Sequence, residues 1–215
     1  MGLTIHYNLE HNGTTKEIRT LIGQLYQYAK TLPFKKLYDI VEIKGNDCDF
    51  NKNNYEEIRW LLIQSQKYMD TGQSVSPSHI IAFTTWPGEG CESANFGLCK
   101  YPKTKGWSWG SFCKTQYASD NEHGGVKNFL KCHLLVVKML DFAKQINILK
   151  SVSDESDFWD KRDLKALAQE VGEWNCMIAG FVGKLKDMFG DDIEAPILKF
   201  SNFEHLEADC AKNSK

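Results

Sequence analysis

The sequence predicts an α+β fold, with a mixed β-sheet, an N-terminal strand-helix-strand unit and a C-terminal pair of long helices packed on the sheet. The first observation is the alternation of apolar and polar residues over 3–10, which is typical of a half-buried strand. The second is an apolar stripe at helical spacing, followed by another β-prone run. The third is the long helical periodicity of the C-terminal half, after a strand-rich first half.

The N-terminal unit has recognisable boundaries. After the first strand, a helix begins near Lys16, with Thr14 or Thr15 as its N-terminal cap, and Pro33 ends it. The second strand covers 37–43. The helix face predicted to point inward carries six apolar residues: Ile18, Leu21, Ile22, Leu25, Tyr26 and Ala29.

The middle of the chain combines one helix with three strands. Helical spacing predicts a helix over 55–69, and a strongly β-prone run predicts a strand over 79–85. Two further strands, 96–101 and 107–117, are joined by the turn 102–106 and are predicted to form a hairpin.

The C-terminal half is predicted to be mainly helical. One helix covers 125–149, the acidic segment 151–157 follows it, and a second helix covers 159–189. A final short strand is predicted over 197–203. The interpretation is a single α+β domain over 1–215, because that last strand needs a sheet to join. A sub-division near residue 120 is the alternative, since strands dominate before it and helices after it.

Composition excludes several classes of protein. The net charge of −2 is too small for the field that captures nucleic acid, and no run of 18 apolar residues predicts a membrane span. The N-terminus lacks a secretory signal. Seven cysteines without paired spacing indicate free thiols in a reducing compartment, so a cytoplasmic location is predicted.

Residues 84–117 form the most unusual stretch of the chain. They hold three of the six Trp, three of the seven Cys and five Gly, which is a composition suited to a shaped pocket. The leading hypothesis is a protein that binds a small polar or aromatic molecule between the loop 86–99 and the strand 107–117. The predicted ligand-binding residues are Trp86, Asn95, Trp107, Trp109, Cys113, Lys114, Gln116 and Tyr117. The alternative is that these aromatic side chains are core residues whose polar tips bond to the backbone.

The second hypothesis is an enzyme that uses the same pocket. Glu89 or Glu92 would be the general acid or base, or Cys91 would be the nucleophile. His6 would be the base for a thiol if its strand lies beside the pocket. Solvated carboxylates and a solvent-facing histidine are the simpler interpretation of the same residues.

A metal site is a third interpretation of this region. Cys91, Cys99 and Cys113, with His133 or Cys132, would supply four zinc ligands. Their spacing lacks the short C-x-x-C element of secure zinc sites, and buried free cysteines are common core residues. The sequence identifies no cofactor, because neither glycine-rich phosphate-binding pattern is present.

The last hypothesis is a protein-interaction module. The C-terminal helices would form a homodimer interface if their apolar surface is too wide for one sheet to cover. Their apolar stripe is otherwise a core face.

Overall fold

The computed structural model of the chain describes residues 3–51, 58–68, 74–189 and 195–207, and within them the α+β fold class is confirmed. The strands are β1 (Thr4–His11), β2 (Lys36–Leu37), β3 (Val41–Lys44), β4 (Lys67–Tyr68), β5 (Ser74–Val75), β6 (His79–Trp86), β7 (Ala94–Lys100), β8 (Trp107–Lys114) and β9 (Leu149–Asp154). The α-helices are α1 (Thr15–Lys30), α2 (Arg59–Gln64), α3 (Gly125–Gln145), α4 (Phe158–Lys161) and α5 (Leu164–Phe189).

Seven of these strands form one sheet in the order β2–β6–β7–β8–β1–β9, with β3 paired to β6 beside β2. Every described pairing is antiparallel, where a mixed sheet was expected. The remaining two strands, β4 and β5, pair only with each other.

The N-terminal strand-helix-strand unit is confirmed. The alternate residues of β1 are buried, and Thr14 caps α1 through a reciprocal pair of bonds with Glu17. The predicted strand 37–43 is divided into β2 and β3, which pair with the two ends of β6. Asp39, between them, accepts a hydrogen bond from the Tyr26 hydroxyl at 2.7 Å, so the chain leaves the sheet at this point.

The helices cover the two faces of the sheet unequally. One face is packed against α1 and α3, and α5 packs on α3. On the opposite face, Trp60 of α2 contacts Phe112 of β8 edge-on, with ring centroids 6.3 Å apart. That second face is open around Asn8 and Gly110, which are exposed, whereas β7 is buried on both faces.

The end of the predicted helix 125–149 is wrong, and a strand was missed. The helix ends at Gln145, and Asn147 takes a left-handed conformation (φ 57°) that reverses the chain. The chain then pairs with β1 as the edge strand β9, which begins at Leu149, the last residue of the predicted helix, and extends into 151–157, the segment predicted to join the two helices. The predicted second helix, 159–189, begins as α4 and continues as α5.

The predicted final strand, 197–203, is also wrong. Pro196–Lys199 forms a 3-10 turn, which buries Ile197 and Phe200 against α5. Their spacing of three residues fits this turn, whereas a strand would have placed them on opposite faces. The single domain over 1–215 was expected because a strand at 197–203 would join the sheet. Since no strand forms there, the single domain stays a prediction.

Two middle elements are shorter than predicted. Of the predicted helix 55–69, residues 55–57 and 69 lie outside the described residues, and helix is present only in α2. The hairpin of β7 and β8 is confirmed, but β8 ends at Lys114 and a 3-10 turn follows over Gln116–Ser119.

Candidate functional site

The strands β7 and β8 separate in the middle of the sheet. Their registered pairs are Cys99 with Ser108 and Lys100 with Trp107, next to the turn that joins the strands. At the other end, the Glu92 amide donates to the Lys114 carbonyl at 3.0 Å. The backbones are therefore joined at both ends of a gap, and side chains must satisfy the polar groups inside it.

Three side chains fill this gap. The Tyr7 hydroxyl and the Trp109 indole N–H both donate to the Asn95 carbonyl, at 2.7 and 3.0 Å. From α2, the Gln64 carboxamide oxygen accepts from the Asn95 side chain at 2.8 Å and from the Ser111 hydroxyl at 2.7 Å. Gln64 thus bridges the two strands where their backbone pairing is interrupted.

An open cleft of about 680 Å³ lies next to this bridge. It is formed by β1, β8, β9, the turn 101–106 and the segment 64–67. Its side chains are mainly amides and hydroxyls, with aromatic groups behind them: Asn8, Asn12, Gln64, Gln66, Tyr101, Thr104, Trp107, Ser108, Trp109 and Ser151. The Gln64 Nε2 atom is buried and has no hydrogen-bond partner among the described residues.

The charged groups of the cleft are two lysines and one glutamate. Lys150 forms an ion pair with Glu10, so these two charges offset each other. The Lys67 ammonium donates to the Ser108 hydroxyl at 2.8 Å and lies 4.0 Å from the centre of the Tyr101 ring. Burial lowers the pKa of Lys67. No carboxylate in the described part of the chain lies within ion-pair distance of this ammonium group.

These features define a site rich in hydrogen-bond donors. The unpartnered Gln64 amide and the Lys67 ammonium both border the cleft. The buried amide requires an acceptor to offset its desolvation, and the ammonium, bonded to the Ser108 hydroxyl, has no carboxylate partner among the described residues. The arrangement suits a ligand that carries an anionic group together with other hydrogen-bonding atoms.

The structure divides the sequence-predicted pocket between the two ends of β8. Trp107 and Trp109 lie beside the cleft but are themselves buried, with exposed fractions of 3% and 1%. The Asn95 side chain donates a hydrogen bond to Gln64. The other predicted ligand-binding residues lie towards the Lys114 end, about 23 Å from Trp107 along the strand: Trp86, Cys113, Lys114, Gln116 and Tyr117.

The residues at the Lys114 end are engaged with one another. The Trp86 indole donates to the Cys91 carbonyl at 3.1 Å, and the Cys113 thiol donates to the Glu92 carbonyl at 3.2 Å. Gln116 is fully buried, where it accepts from the Leu3 amide and donates to Asn175. Lys114 and Tyr117 contact each other, with the Lys114 ammonium over the Tyr117 ring.

The glycines of this loop serve close packing of the chain. Gly90 has a φ of +73°, and a Cβ atom there would lie 2.3 Å from the Tyr117 carbonyl oxygen. A Cβ atom on Gly88 would lie 2.8 Å from the Cys132 sulfur. No larger residue fits at either position without a shift of its neighbours.

The candidate acid–base residues are held by local partners. Glu89 forms an ion pair with Lys35, whose hydrogen bond lowers the pKa of the Glu89 carboxyl. Glu92 accepts from the Lys114 amide at 3.1 Å. His6 is exposed against Phe112, and the alternation of neighbouring strands places it on the opposite face from Cys113.

The zinc candidates come together only in part: Cys91, Cys113 and Cys132 lie near one another, whereas Cys99 does not join them. Cys99 lies beside Tyr101 at the cleft end of the sheet, whereas Cys91 and Cys113 lie at the other end. The side chains of His, Cys, Asp and Glu in the described ranges form no group of three or more that could hold a metal ion. The His133 ring instead contacts Thr115 and Asp154.

A buried relay through His133 was not foreseen from the sequence. Its Nδ1 atom lies 3.0 Å from the Thr115 hydroxyl, and its Nε2 atom lies 3.1 Å from the Asp154 carboxylate. The order of hydroxyl, imidazole and carboxylate is that of a hydrolase triad. Thr115 and His133 are completely buried, so no substrate reaches this hydroxyl, and the relay joins β8, α3 and β9 as a structural network.

The main cleft residues were also missed. Asn8 and Ser108 belong to the outward-facing sets of two predicted strands, which is a signal the sequence does contain. Gln64 and Lys67 carry no such signal, because their role depends on the gap between β7 and β8.

No helix within the described ranges has the length and apolar character needed to cross a bilayer. Comparisons with protein-family models, with curated proteins and with solved structures gave no significant match. The fold and the site define an α+β protein with an antiparallel sheet and a polar cleft on its open face.

Proposed function

We propose that this protein binds a small polar molecule with an anionic group in the cleft beside Gln64 and Lys67. The observation that carries the proposal is the buried Gln64 Nε2 atom, which has no acceptor among the described residues, beside the Lys67 ammonium, whose acceptor is the uncharged Ser108 hydroxyl. Of the three charged side chains that line the cleft in the described part of the chain, Lys150 and Glu10 offset each other, which leaves the positive charge of Lys67.

The shape of the site supports a small ligand. A volume of about 680 Å³ is within the usual range for small-molecule sites. Amide and hydroxyl groups outnumber carboxylates around it, so the ligand would be oriented by hydrogen bonds. The Tyr101 ring, already covered by Lys67, adds an apolar wall.

Lys67→Met is expected to weaken anion binding at least tenfold, because it removes the uncompensated charge and keeps most of the side-chain volume. The measurement is the chemical-shift change of backbone amides on titration with glycerol 3-phosphate and gluconate. Glycerol and glucitol are the matched neutral probes. We expect shifts at Asn8, Gln64 and Ser108 with the anions, and weaker shifts with the neutral compounds.

Lys105→Met is the control, because it removes an exposed lysine near the same turn and outside the cleft lining. It should leave both titrations unchanged. If neither anion shifts the cleft amides of the wild-type protein, or if Lys105→Met has the same effect as Lys67→Met, the proposed site is wrong.

A second candidate function is self-association through α5. Phe181 and Met177, one helical turn apart on this helix, are exposed by 63% and 50%. Buried positions of the same helix, such as Leu167 and Val171, face the core as the sequence predicted. The exposed pair therefore forms a separate apolar strip, which a second copy of the chain would cover.

Phe181→Ser is expected to convert a dimer into a monomer, because it removes the most exposed aromatic group of this strip. Light scattering over a dilution series measures the mass directly. Lys184→Ser, a change of an exposed polar residue nearby, should leave the dimer intact. A wild-type protein with the mass of one chain throughout the series contradicts the proposal.

We also propose a cytoplasmic location. The six cysteines within the described residues are all free thiols, which supports a reducing compartment.

A further inference from the structure

The loop 87–91 brings two thiols together at the Lys114 end of the sheet. The Cys91 amide donates to the Gly88 carbonyl at 3.2 Å, which closes a turn against α3. The Cys91 and Cys132 thiols are hydrogen-bonded to each other. Asn128 holds the loop in place, because its side-chain amide donates to the carbonyls of Glu89 and Ala118 at 3.1 Å.

Close approach of the loop depends on glycine. Only a residue without a Cβ atom fits at Gly88, since a Cβ atom there would meet the Cys132 sulfur. The loop backbone therefore lies directly on the thiol of α3. Cys91 is partly exposed and Cys132 is buried, so solvent lies on the Cys91 side of the pair.

We propose that Cys91 and Cys132 form a reversible disulfide when the protein meets a two-electron oxidant of the hydroperoxide class. The inference is independent of the proposed ligand site. The loop 87–91 does not line the cleft. Thiol oxidation would be its chemical role.

The reaction balances in two steps. One thiolate of the pair attacks the peroxide, so that an S–O bond forms, the O–O bond breaks, and the alkoxide leaves as an alcohol after taking up a proton. The second thiolate then displaces hydroxide from the sulfenic acid, so that the S–S bond forms and the S–O bond breaks. The two sulfurs supply two electrons, and the products are one disulfide, one alcohol or water from the peroxide, and one further water.

The electrostatics of the pair favour this chemistry. The hydrogen bond from Cys91 lowers the pKa of Cys132, against the effect of its burial. The same bond raises the pKa of Cys91, and so do burial and the neighbouring Cys113. The thiolate of the pair is therefore stabilised at Cys132, next to the partly exposed residue Cys91.

Cys113 is the competing partner. It is fully buried, and burial raises the pKa of its thiol. Its hydrogen bond to the Glu92 carbonyl also directs the thiol towards the loop backbone. The disulfide between Cys91 and Cys132 is therefore the one that forms first.

The test is a tryptic peptide map of the full chain after treatment with substoichiometric hydrogen peroxide. Cys132 lies in the peptide 132–138 and Cys113 in 106–114, so the linked partner is identified directly. Cys91 and Cys99 share the peptide 68–100, and fragmentation separates them. We expect a Cys91–Cys132 linked pair, the loss of two reactive thiols, and full reversal by dithiothreitol.

Matched variants make the result specific. Cys91→Ser and Cys132→Ser should each abolish the linked peptide and leave sulfenic or sulfinic acid on the remaining thiol. Cys99→Ser, at the opposite end of the sheet, should oxidise as the wild-type chain does. A link from Cys91 to Cys113, or wild-type protein that shows oxygen addition without any linked pair, overturns the proposal. The map of the wild-type chain decides this even if a variant fails to fold.

Discussion

Asp154→Ala is expected to lower the free energy of unfolding by about 3–5 kcal/mol, which is typical for the loss of one partner from a buried charged network. The side chain is 1% exposed. It accepts from the Ser156 amide and hydroxyl at 3.0 and 2.7 Å, from the Trp159 amide at 3.0 Å, and from His133 at 3.1 Å. Alanine would leave these donors without acceptors. Urea unfolding measures the change.

Asp141→Ala is the control for this experiment. Asp141 also pairs with a cation, Arg162, but both side chains are about 40% exposed. Its loss should cost about 1 kcal/mol or less, because exposed ion pairs contribute little. Equal effects of the two substitutions would mean that the relay through His133 is not a stabilising network.

The effect of Asp154 should depend on pH. Burial alone would raise the pKa of this carboxyl, but the bonds from His133 and Ser156 outweigh burial and lower it. The folded protein thus binds this proton less tightly than the unfolded chain, and the stabilisation is present above the unfolded pKa of about 3.9. It is lost as the pH falls through the lowered folded value. The difference between wild type and Asp154→Ala should therefore shrink below pH ~4.

Trp109→Ala is expected to destabilise the protein by about 3–5 kcal/mol, as for other large core aromatic residues. The ring is 1% exposed, and its N–H group bonds to the Asn95 carbonyl inside the gap between β7 and β8. The substitution would leave a cavity and remove one of the two hydrogen bonds that the Asn95 carbonyl accepts. Thermal and urea unfolding measure the loss.

Trp60→Ala is the matched control, because Trp60 is 45% exposed and contacts the sheet edge-on at Phe112. A change of about 1 kcal/mol or less is expected there. A stable Trp109→Ala protein that no longer binds its ligand would instead favour the original hypothesis that Trp109 is a wall of the pocket.

Elements whose pattern is local were predicted well. The first strand and α1 follow from alternation, an apolar stripe and the reciprocal cap of Thr14 and Glu17, all of which lie within neighbouring residues. The strand β9 was missed because its residues, such as Ser151 and Ser153, are polar and are exposed on an edge. Its only strong determinant is the partner β1, more than a hundred residues earlier in the chain.

The candidate site could be predicted only in part. Trp107 and Trp109 were predicted as ligand-binding residues, with core residues as the alternative, and both lie buried beside the cleft. Gln64 meets Ser111 across 47 positions of sequence, a contact that no local pattern indicates. Two glycines of the Trp- and Gly-rich stretch, Gly88 and Gly90, are required by close backbone packing. There the backbone passes too close to α3 and to Tyr117 for any side chain.

The gap between β7 and β8 has a consequence for how the sheet tolerates mutation. Ordinary strand pairing uses backbone groups that every residue except proline supplies, so it survives most substitutions. At this seam the connection instead depends on the identity of Tyr7, Gln64 and Trp109. Drift at these positions would weaken the middle of the seam, while the backbone pairs at its two ends remain.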